Sequence, residues 1–350
     1  MKNRNLVAIV LLLAAIIAVV GGYRFLGPKK TANGVSEVIS KPKVKIGIQT
    51  SPAMALVMTA KEAGCFDAEG VDVELVPFTA GKFALQALLG GSLDYCVSGE
   101  VPVALATLQG NKLTVLSQVV KETVNECRIV VRKDETAANG PAAYFKAKKR
   151  KLATSVGGGP EFFNHEFLKM HGIPLADVEI VSQKPEDMPA ALVSGSVDAI
   201  GIFDPFCFIA EKRIGAEGTT FSDNTGKLYS ELYVLSVGEK QMEDSKKTAP
   251  AVLRALVKAG EIVKNDPEKA KAAVEKHTKL DKETINGVWN SFKFEAALTP
   301  KLLEYWNAQA EWAKNTGKAQ PETKIPDYRS IIADEVLRQI KPEAVTIPTK

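Results

Sequence analysis

Histidine and cysteine are scarce, at three and four in 350 residues. His165 and His171 are six apart, so they do not share a helix face as i, i+4 metal ligands would, and His277 is remote from both. The cysteines, Cys65, Cys96, Cys127 and Cys207, contain no CxxC pair, so the usual spacing of a zinc site is missing. No metal is expected. A chain this long can bury a core without staples, so the thiols are expected to be mostly unpaired and semi-buried. There is no Gly-Lys-Ser/Thr loop, no GxGxxG, and no Gly-x-Ser-x-Gly beside a histidine, so a nucleotide cradle and a hydrolase elbow are both missing. No catalytic set and no cofactor are expected.

A strong charge bias is missing too. The formal net charge is +4, but residues 1–30 hold Lys2, Arg4, Arg24, Lys29 and Lys30 and no acid, leaving 40 basic against 41 acidic residues in the rest. A nucleic-acid partner gets no support from that balance. Hydrophobic residues at 45% and charged residues at 25% are ordinary for a globular chain, which excludes disorder and a polytopic membrane protein. The length suggests about two domains.

The apolar run Leu6 to Val20 follows Lys2 and Arg4. It is as long as a signal-peptide core and nearly as long as a membrane span. Val20-Gly21-Gly22 is a poor cleavage site, and no cysteine follows for lipid attachment. Residues 1–23 therefore read as a signal anchor or a cleaved signal, with the remainder outside the cytoplasm. Residues 24–42 are polar, rich in Gly, Pro and Lys, and read as a linker.

The body alternates strand and helix patterns. Val44 to Ile48 and Val71 to Leu75 alternate as strands, and Leu93 to Val97 is a third. Ser51-Pro52 opens a helix, Gly81 to Leu89 forms another, and Val101 to Leu108 a third. This βαβαβα order predicts an α/β fold with mostly parallel sheets flanked by helices. After residue 232 the pattern is mostly helical, at 249–264, 267–277, 282–291, 299–316 and 328–340, a tail expected to pack on one lobe or brace both.

An internal repeat predicts two lobes. VDVELV (71–76) returns as ADVEIV (176–181), and ALLGGSLD (87–94) as ALVSGSVD (191–198). The period near 104 is too long for a solenoid. It pairs Gly91 with Gly195, Asp94 with Asp198, and Glu100 with Asp204.

Ligands bind beyond the carboxyl ends of parallel strands. The loops there hold Gln49, Thr50 and Ser51; Thr79, Gly81 and Lys82; Ser98, Gly99 and Glu100; Ser155 to Gly159; and Asp204. The turn Ser155-Val156-Gly157-Gly158-Gly159 precedes a helix starting at Pro160, a geometry that could hold an anion or be only a tight turn. Thr79, Lys82 and Ser98 add donors. Glu100 and Asp204 would face each other as an acid/base pair or as acceptors for a ligand's amine, hydroxyl or amidine. Asp204 before Pro205 also reads as a helix cap, Glu161 as a first-turn acid that favours the dipole. Phe162 could stack on a ligand or fill the core. The basic cluster Lys146 to Lys151 reads as a solvated face.

The segments VKIGIQTSP (44–52), FDAEGVDVELVPF (66–78), LLGGSLDYCVSGEVP (88–102), LATSVGGGPEF (152–162) and LVSGSVDAIGIFDPF (192–206) resemble those of ABC-transporter solute-binding proteins. The resemblance is to the aliphatic sulfonate/nitrate/taurine-binding type, itself similar to thiamine-pyrimidine-precursor binding proteins. It implies a two-lobed type II periplasmic-binding-protein fold, with lobe 1 at 43–130 plus 235–340, lobe 2 at 131–234 and a tail at 341–350. Strands near 127–133 and 232–237 would cross between them. It implies ligand contacts at Gln49, Thr50, Gly81, Ser98, Gly99, Glu100, Gly157, Gly158 and Asp204. It further implies a small-molecule ligand, no enzymatic turnover, a monomer, and partnership with an ABC permease and its ATPase subunit. The place of work would be the periplasm or the outer face of the cytoplasmic membrane. A pyrimidine or amine ligand is the alternative, and an enzyme or sensor on the same fold the more distant ones. No arginine falls in the cleft loops, so a bidentate grip on a sulfonate or phosphate is not expected.

Overall fold

The computed structural model describes residues 41–124, 126–223 and 227–349. The apolar run at 6–20 and the linker up to residue 40 lie outside the described residues. Among those described, no helix is long and apolar enough to cross a membrane.

The strands are β1 (Lys43–Gln49), β2 (Asp72–Phe78), β3 (Tyr95–Gly99), β4 (Leu113–Thr123), β5 (Arg128–Arg132), β6 (Arg150–Thr154), β7 (Val178–Ser182), β8 (Ala199–Ile202), β9 (Gly218–Phe221), β10 (Tyr233–Gly238) and β11 (Phe292–Ala297). The helices are α1 (Ala55–Glu62), α2 (Cys65–Ala68), α3 (Gly81–Gly90), α4 (Glu100–Leu108), α5 (Pro141–Ala147), α6 (Gly159–Met170), α7 (Met188–Ser194), α8 (Phe206–Ile214), α9 (Met242–Asn265), α10 (Pro267–Thr278), α11 (Lys282–Val288), α12 (Lys301–Asn315) and α13 (Glu335–Ile340).

Two sheets form, in the orders β11-β4-β10-β3-β1-β2 and β7-β6-β8-β5-β9. In the first, β1 runs parallel to β2 and β3, while β10 runs antiparallel to β3 and β4. In the second, β6 runs parallel to β7 and β8, and β5 runs antiparallel to β8 and β9. The second order therefore repeats the first, with β11 added at the first sheet's edge.

The sequence repeat has a direct structural counterpart. Asp94 accepts the Lys45 N–H at 2.7 Å, and Asp198 accepts the Lys151 N–H at 2.9 Å. Each aspartate thus ties the start of its strand to the parallel neighbour. Each repeat also ends its helix on a left-handed glycine, Gly91 at φ 89° and Gly195 at φ 77°. A Cβ would strain that backbone, so glycine closes both helices.

Each sheet carries its own core. Ile46, Leu56, Phe66, Tyr95, Val234, Leu256 and Trp306 lie in the first; Tyr144, Phe145, Phe163, Phe167, Ile200 and Cys207 lie in the second. All four cysteines are buried free thiols. Arg150, read with its neighbours as a solvated face, is instead buried, over the Tyr144 ring and paired with Asp134. Its flanks Lys149 and Lys151 are exposed.

The chain passes between the sheets twice. β5 belongs wholly to the second sheet and β10 wholly to the first. The passages are therefore the segments 124–127 and 222–232, a few residues before the strands expected to cross. α12 contacts both cores, with Trp306 in the first and Trp312 in the second. The tail braces both lobes.

Candidate functional site

The carboxyl ends of β1, β3, β6 and β8 meet where the two lobes touch. Ser51 Oγ, which also accepts the Ala53 N–H to cap the turn before α1, donates to the Asp204 carbonyl of the other lobe at 3.3 Å. Lys82 Nζ crosses to the Val156 carbonyl at 2.7 Å. Beside this crossing a groove of about 440 Å³ is lined by residues including Lys82, Phe83, Gln86, Gln109, Val156 and Gly157.

Several expected residues converge here. Gln49 is buried; its Oε1 accepts the Gly81 N–H at 3.2 Å and its Nε2 donates to Tyr233 Oη at 3.2 Å. Ser98 is fully buried, and its Oγ has no hydrogen-bond partner. Phe162 is buried edge-on to Tyr229 and Trp312. Ser155 is buried in the turn before α6. Thr50 donates its hydroxyl to the Phe78 carbonyl at 3.2 Å, and Thr79 is exposed.

Glu100 and Asp204 occupy matching places, at the start of α4 and just before α8, and both are buried. Glu100 accepts from Tyr229 Oη at 2.6 Å, Gln309 Nε2 at 2.8 Å and the Leu232 N–H at 2.9 Å. Burial pushes its carboxyl up to about 7, against the lowering effect of those three donors. Asp204 is held by Arg128 through two bonds of 2.8 Å, and its Oδ1 also accepts the Phe208 N–H at 3.2 Å. The capping reading of Asp204 is thus realised, together with an ion pair. Burial raises its pKa, and the guanidinium works against that rise.

The Gly-rich turn is not open to an anion along its whole length. The Gly157 N–H donates to Glu161 Oε2 at 2.7 Å, and Lys318 pairs with Glu161 Oε1 at 2.7 Å. Glu161 therefore folds back onto the turn that precedes its own helix. Gly159 lies against Glu231, so a Cβ there would stand 2.6 Å from the Glu231 carboxyl and 2.7 Å from Tyr229 Oη. A Cβ on Gly99 would meet the same Glu231 oxygen. Two glycines, one on each lobe, make room for one carboxylate.

Reasoning from the loops overlooked the residues brought by the passages and the brace. Glu126 and Cys127 lie on one passage and Tyr229 and Glu231 on the other; Arg128 opens β5, Tyr233 opens β10, and Gln309 comes from α12. Tyr233 Oη donates to Glu126 Oε1 at 2.8 Å, while Glu126 Oε2 has no partner. Burial, then the charges of Asp204 and Glu100, drives Glu126 well above the usual carboxyl range; Tyr233 opposes this. Burial and the charges of Glu126 and Glu100 do the same to Glu231. The arginine missing from the loops is thus supplied by β5, but its fork is taken by Asp204 and Glu211. The signal for this group was charge inside apolar segments: Glu126 and Arg128 around Cys127, and Glu231 between Tyr229 and Tyr233.

The model of the NMT1-like family matches residues 38–276. A putative aliphatic sulfonates-binding protein of Bacillus subtilis (strain 168) is 26% identical over 322 residues, covering 88% of this chain and 91% of the relative. The alkanesulfonate-binding protein of Xanthomonas axonopodis pv. citri, bound to MOPS, superposes with a TM-score of 0.70 at 18% identity, over 83% of this chain and 98% of that one. The periplasmic nitrate-binding protein of Synechocystis PCC 6803 does so with a TM-score of 0.70 at 16% identity, over 86% and 88%. The fold is that of the periplasmic binding proteins, and these relatives are binding proteins.

Proposed function

The chain belongs to the NMT1-like family, and from that premise we propose that it is the extracytoplasmic solute-binding component of an ABC importer. It captures a small molecule, such as an aliphatic sulfonate, taurine or nitrate, between its lobes and delivers it to a permease driven by an ATPase subunit. It works as a monomer without chemical turnover. Residues 6–23 hold the body at the outer face of the cytoplasmic membrane.

One observation supports the reading: two matching α/β lobes touch at the carboxyl ends of their strands, through Ser51 on the Asp204 carbonyl and Lys82 on the Val156 carbonyl, with Glu100 and Asp204 buried at matching places. A ligand that touches both walls favours closure by its differential affinity for the closed state, which is what a permease can sense.

The test is uptake. Deleting the gene should abolish accumulation of one labelled small solute, and restoring the full chain should recover it. The purified protein should bind that solute and return it unchanged. Normal uptake of sulfonates, nitrate, amines and pyrimidines in the deletion strain would refute the transport role.

A further inference from the structure

Four carboxyl groups, Glu100, Glu126, Asp204 and Glu231, are buried at the lobe junction, none more than 4% exposed. Arg128 is the cation that faces them, and two of its bonds hold Asp204 while others hold Glu211. The remaining acids have hydroxyl, amide and thiol neighbours: Tyr229, Gln309 and Leu232 N–H on Glu100, Tyr233 and Thr123 on Glu126, and Tyr233 and, at 3.8 Å, Cys127 on Glu231.

A second observation is independent of the cluster's charge. Glu126 is 1% exposed, and its Oε2 has no hydrogen-bond partner. Ser98 Oγ, fully buried near the end of β3, has none either. Buried polar atoms without a partner are rare and costly. When ionised, the Glu126 oxygen is an acceptor without a donor, and the Ser98 hydroxyl can accept from a ligand as well as donate. Meanwhile the groups that could grip an anion are engaged: Gly157 N–H on Glu161, Lys318 on Glu161, and Lys82 on the Val156 carbonyl.

Resting on the solute-binding reading above, we infer that the solute carries a cationic nitrogen, an ammonium or amidinium, and that Glu126 and Glu231 receive it with Ser98. An ammonium brings three donors and no acceptor, which complements acceptors that lack partners. An anionic group in the same place would oppose ionisation of these carboxyls instead of favouring it, with little water to screen the repulsion. The backbones at Gly99 and Gly159 lie close against Glu231, which places its carboxyl between the two lobes. A solute that also bears a sulfonate would direct that end away from Glu126, towards the Lys82 side of the junction.

The experiment is calorimetric titration of the purified full-length protein with four probes: ethanesulfonate, 2-aminoethanesulfonate, ethylamine and benzamidine. The first two differ only in the amine. A charge-assisted hydrogen bond corresponds to about a tenfold to hundredfold change in affinity. The amino compound is expected to bind at least about tenfold tighter than ethanesulfonate, and Glu126→Gln should erase that preference. Ser98→Ala, which removes a buried hydroxyl beside the Cys96 thiol, should weaken the amine probes severalfold with little change in the melting temperature. Equal binding of ethanesulfonate and its amino counterpart would overturn the inference, as would a preference that survives Glu126→Gln. Either result leaves the solute-binding reading standing. Failure of all the amine and amidine probes to bind also overturns it, and the uptake test then decides the transport role separately.

Discussion

Arg128 and Asp204 show how a single pair can join two tasks. The guanidinium is 12% exposed and the carboxylate 1%, so both were taken out of water on folding. Such a pair is worth little against a well-packed apolar replacement, but removing one partner strands a buried charge. Arg128→Ala is expected to destabilise the ligand-free protein by about 3–5 kcal/mol, read from denaturant midpoints. Unchanged midpoints would mean that Asp204 is not held by this pair and is free to serve a ligand. Gly159 argues the same way from space. A Cβ there meets Glu231 and Tyr229 at 2.6–2.7 Å. Gly159→Ala is expected to cost about 1–3 kcal/mol by overpacking and to weaken solute binding, since Glu231 must move. Wild-type affinity with a wild-type melting temperature would show that the junction yields at no cost.

At the scale of elements, α12 is the part that ties the site to the rest of the chain. Trp306 Nε1 donates to the Glu100 carbonyl at 3.0 Å, Gln309 to the Glu100 carboxylate, and Trp312 packs on Phe162 and bonds to His165. One helix therefore supports the first lobe's acid and contacts the second lobe. Trp312→Ala, at a position 5% exposed, is expected to cost about 3–5 kcal/mol, measured by equilibrium unfolding. A loss below about 1 kcal/mol would mean the brace does not carry the junction. The individual βα units were legible because their signals are local: alternation in β1, the Ser51-Pro52 start, and the Gly-x-x-Asp spacing repeated at 91–94 and 195–198. β11 was not legible, since six residues between two helical patterns carry too little alternation to stand out. α9 was expected only over 249–264, whereas the helix begins at Met242 and accommodates Pro250 in its interior. The candidate site was legible only for its loop half. Glu100 and Gln309 are 209 residues apart and Tyr229 and Glu100 are 129 apart, and no local pattern reports which distant side chains a two-passage topology will bring together.

At the scale of the whole molecule, the buried acids make stability and binding respond to pH in opposite directions. Burial pushes Glu100 up to about 7 despite the donors Tyr229, Leu232 N–H and Gln309, and pushes Glu126 and Glu231 well above the usual range, with the charges of Asp204 and Glu100 adding to it at Glu126 and those of Glu126 and Glu100 at Glu231. Arg128 faces Asp204, Tyr233 faces Glu126, and Cys127 faces Glu231. In the unfolded chain these carboxyls ionise near their ordinary value of about 4.3. Between there and about pH 7 the folded ligand-free chain holds protons that the unfolded chain has released. Stability rises with pH only where the unfolded state binds more protons, so here it falls as pH increases through that window. Asp134 acts with the opposite sign: burial would raise it, but Thr136 and Arg150 bring it to about 2, so its contribution is lost only as pH falls from about 4 towards 2. The melting temperature of the ligand-free protein is therefore expected to be highest near pH 4–5 and to decline towards neutral pH, with Glu126→Gln flattening the decline. A cationic solute reverses the balance, because its charge favours the ionised acids. Its binding expels protons from the cluster, and its affinity rises with pH over the same window. Titration in two buffers of different ionisation enthalpy counts those protons. A ligand-free melting temperature that climbs from pH 5 to neutrality, with no proton release on binding, would show that Glu100, Glu126 and Glu231 are not held protonated at the junction.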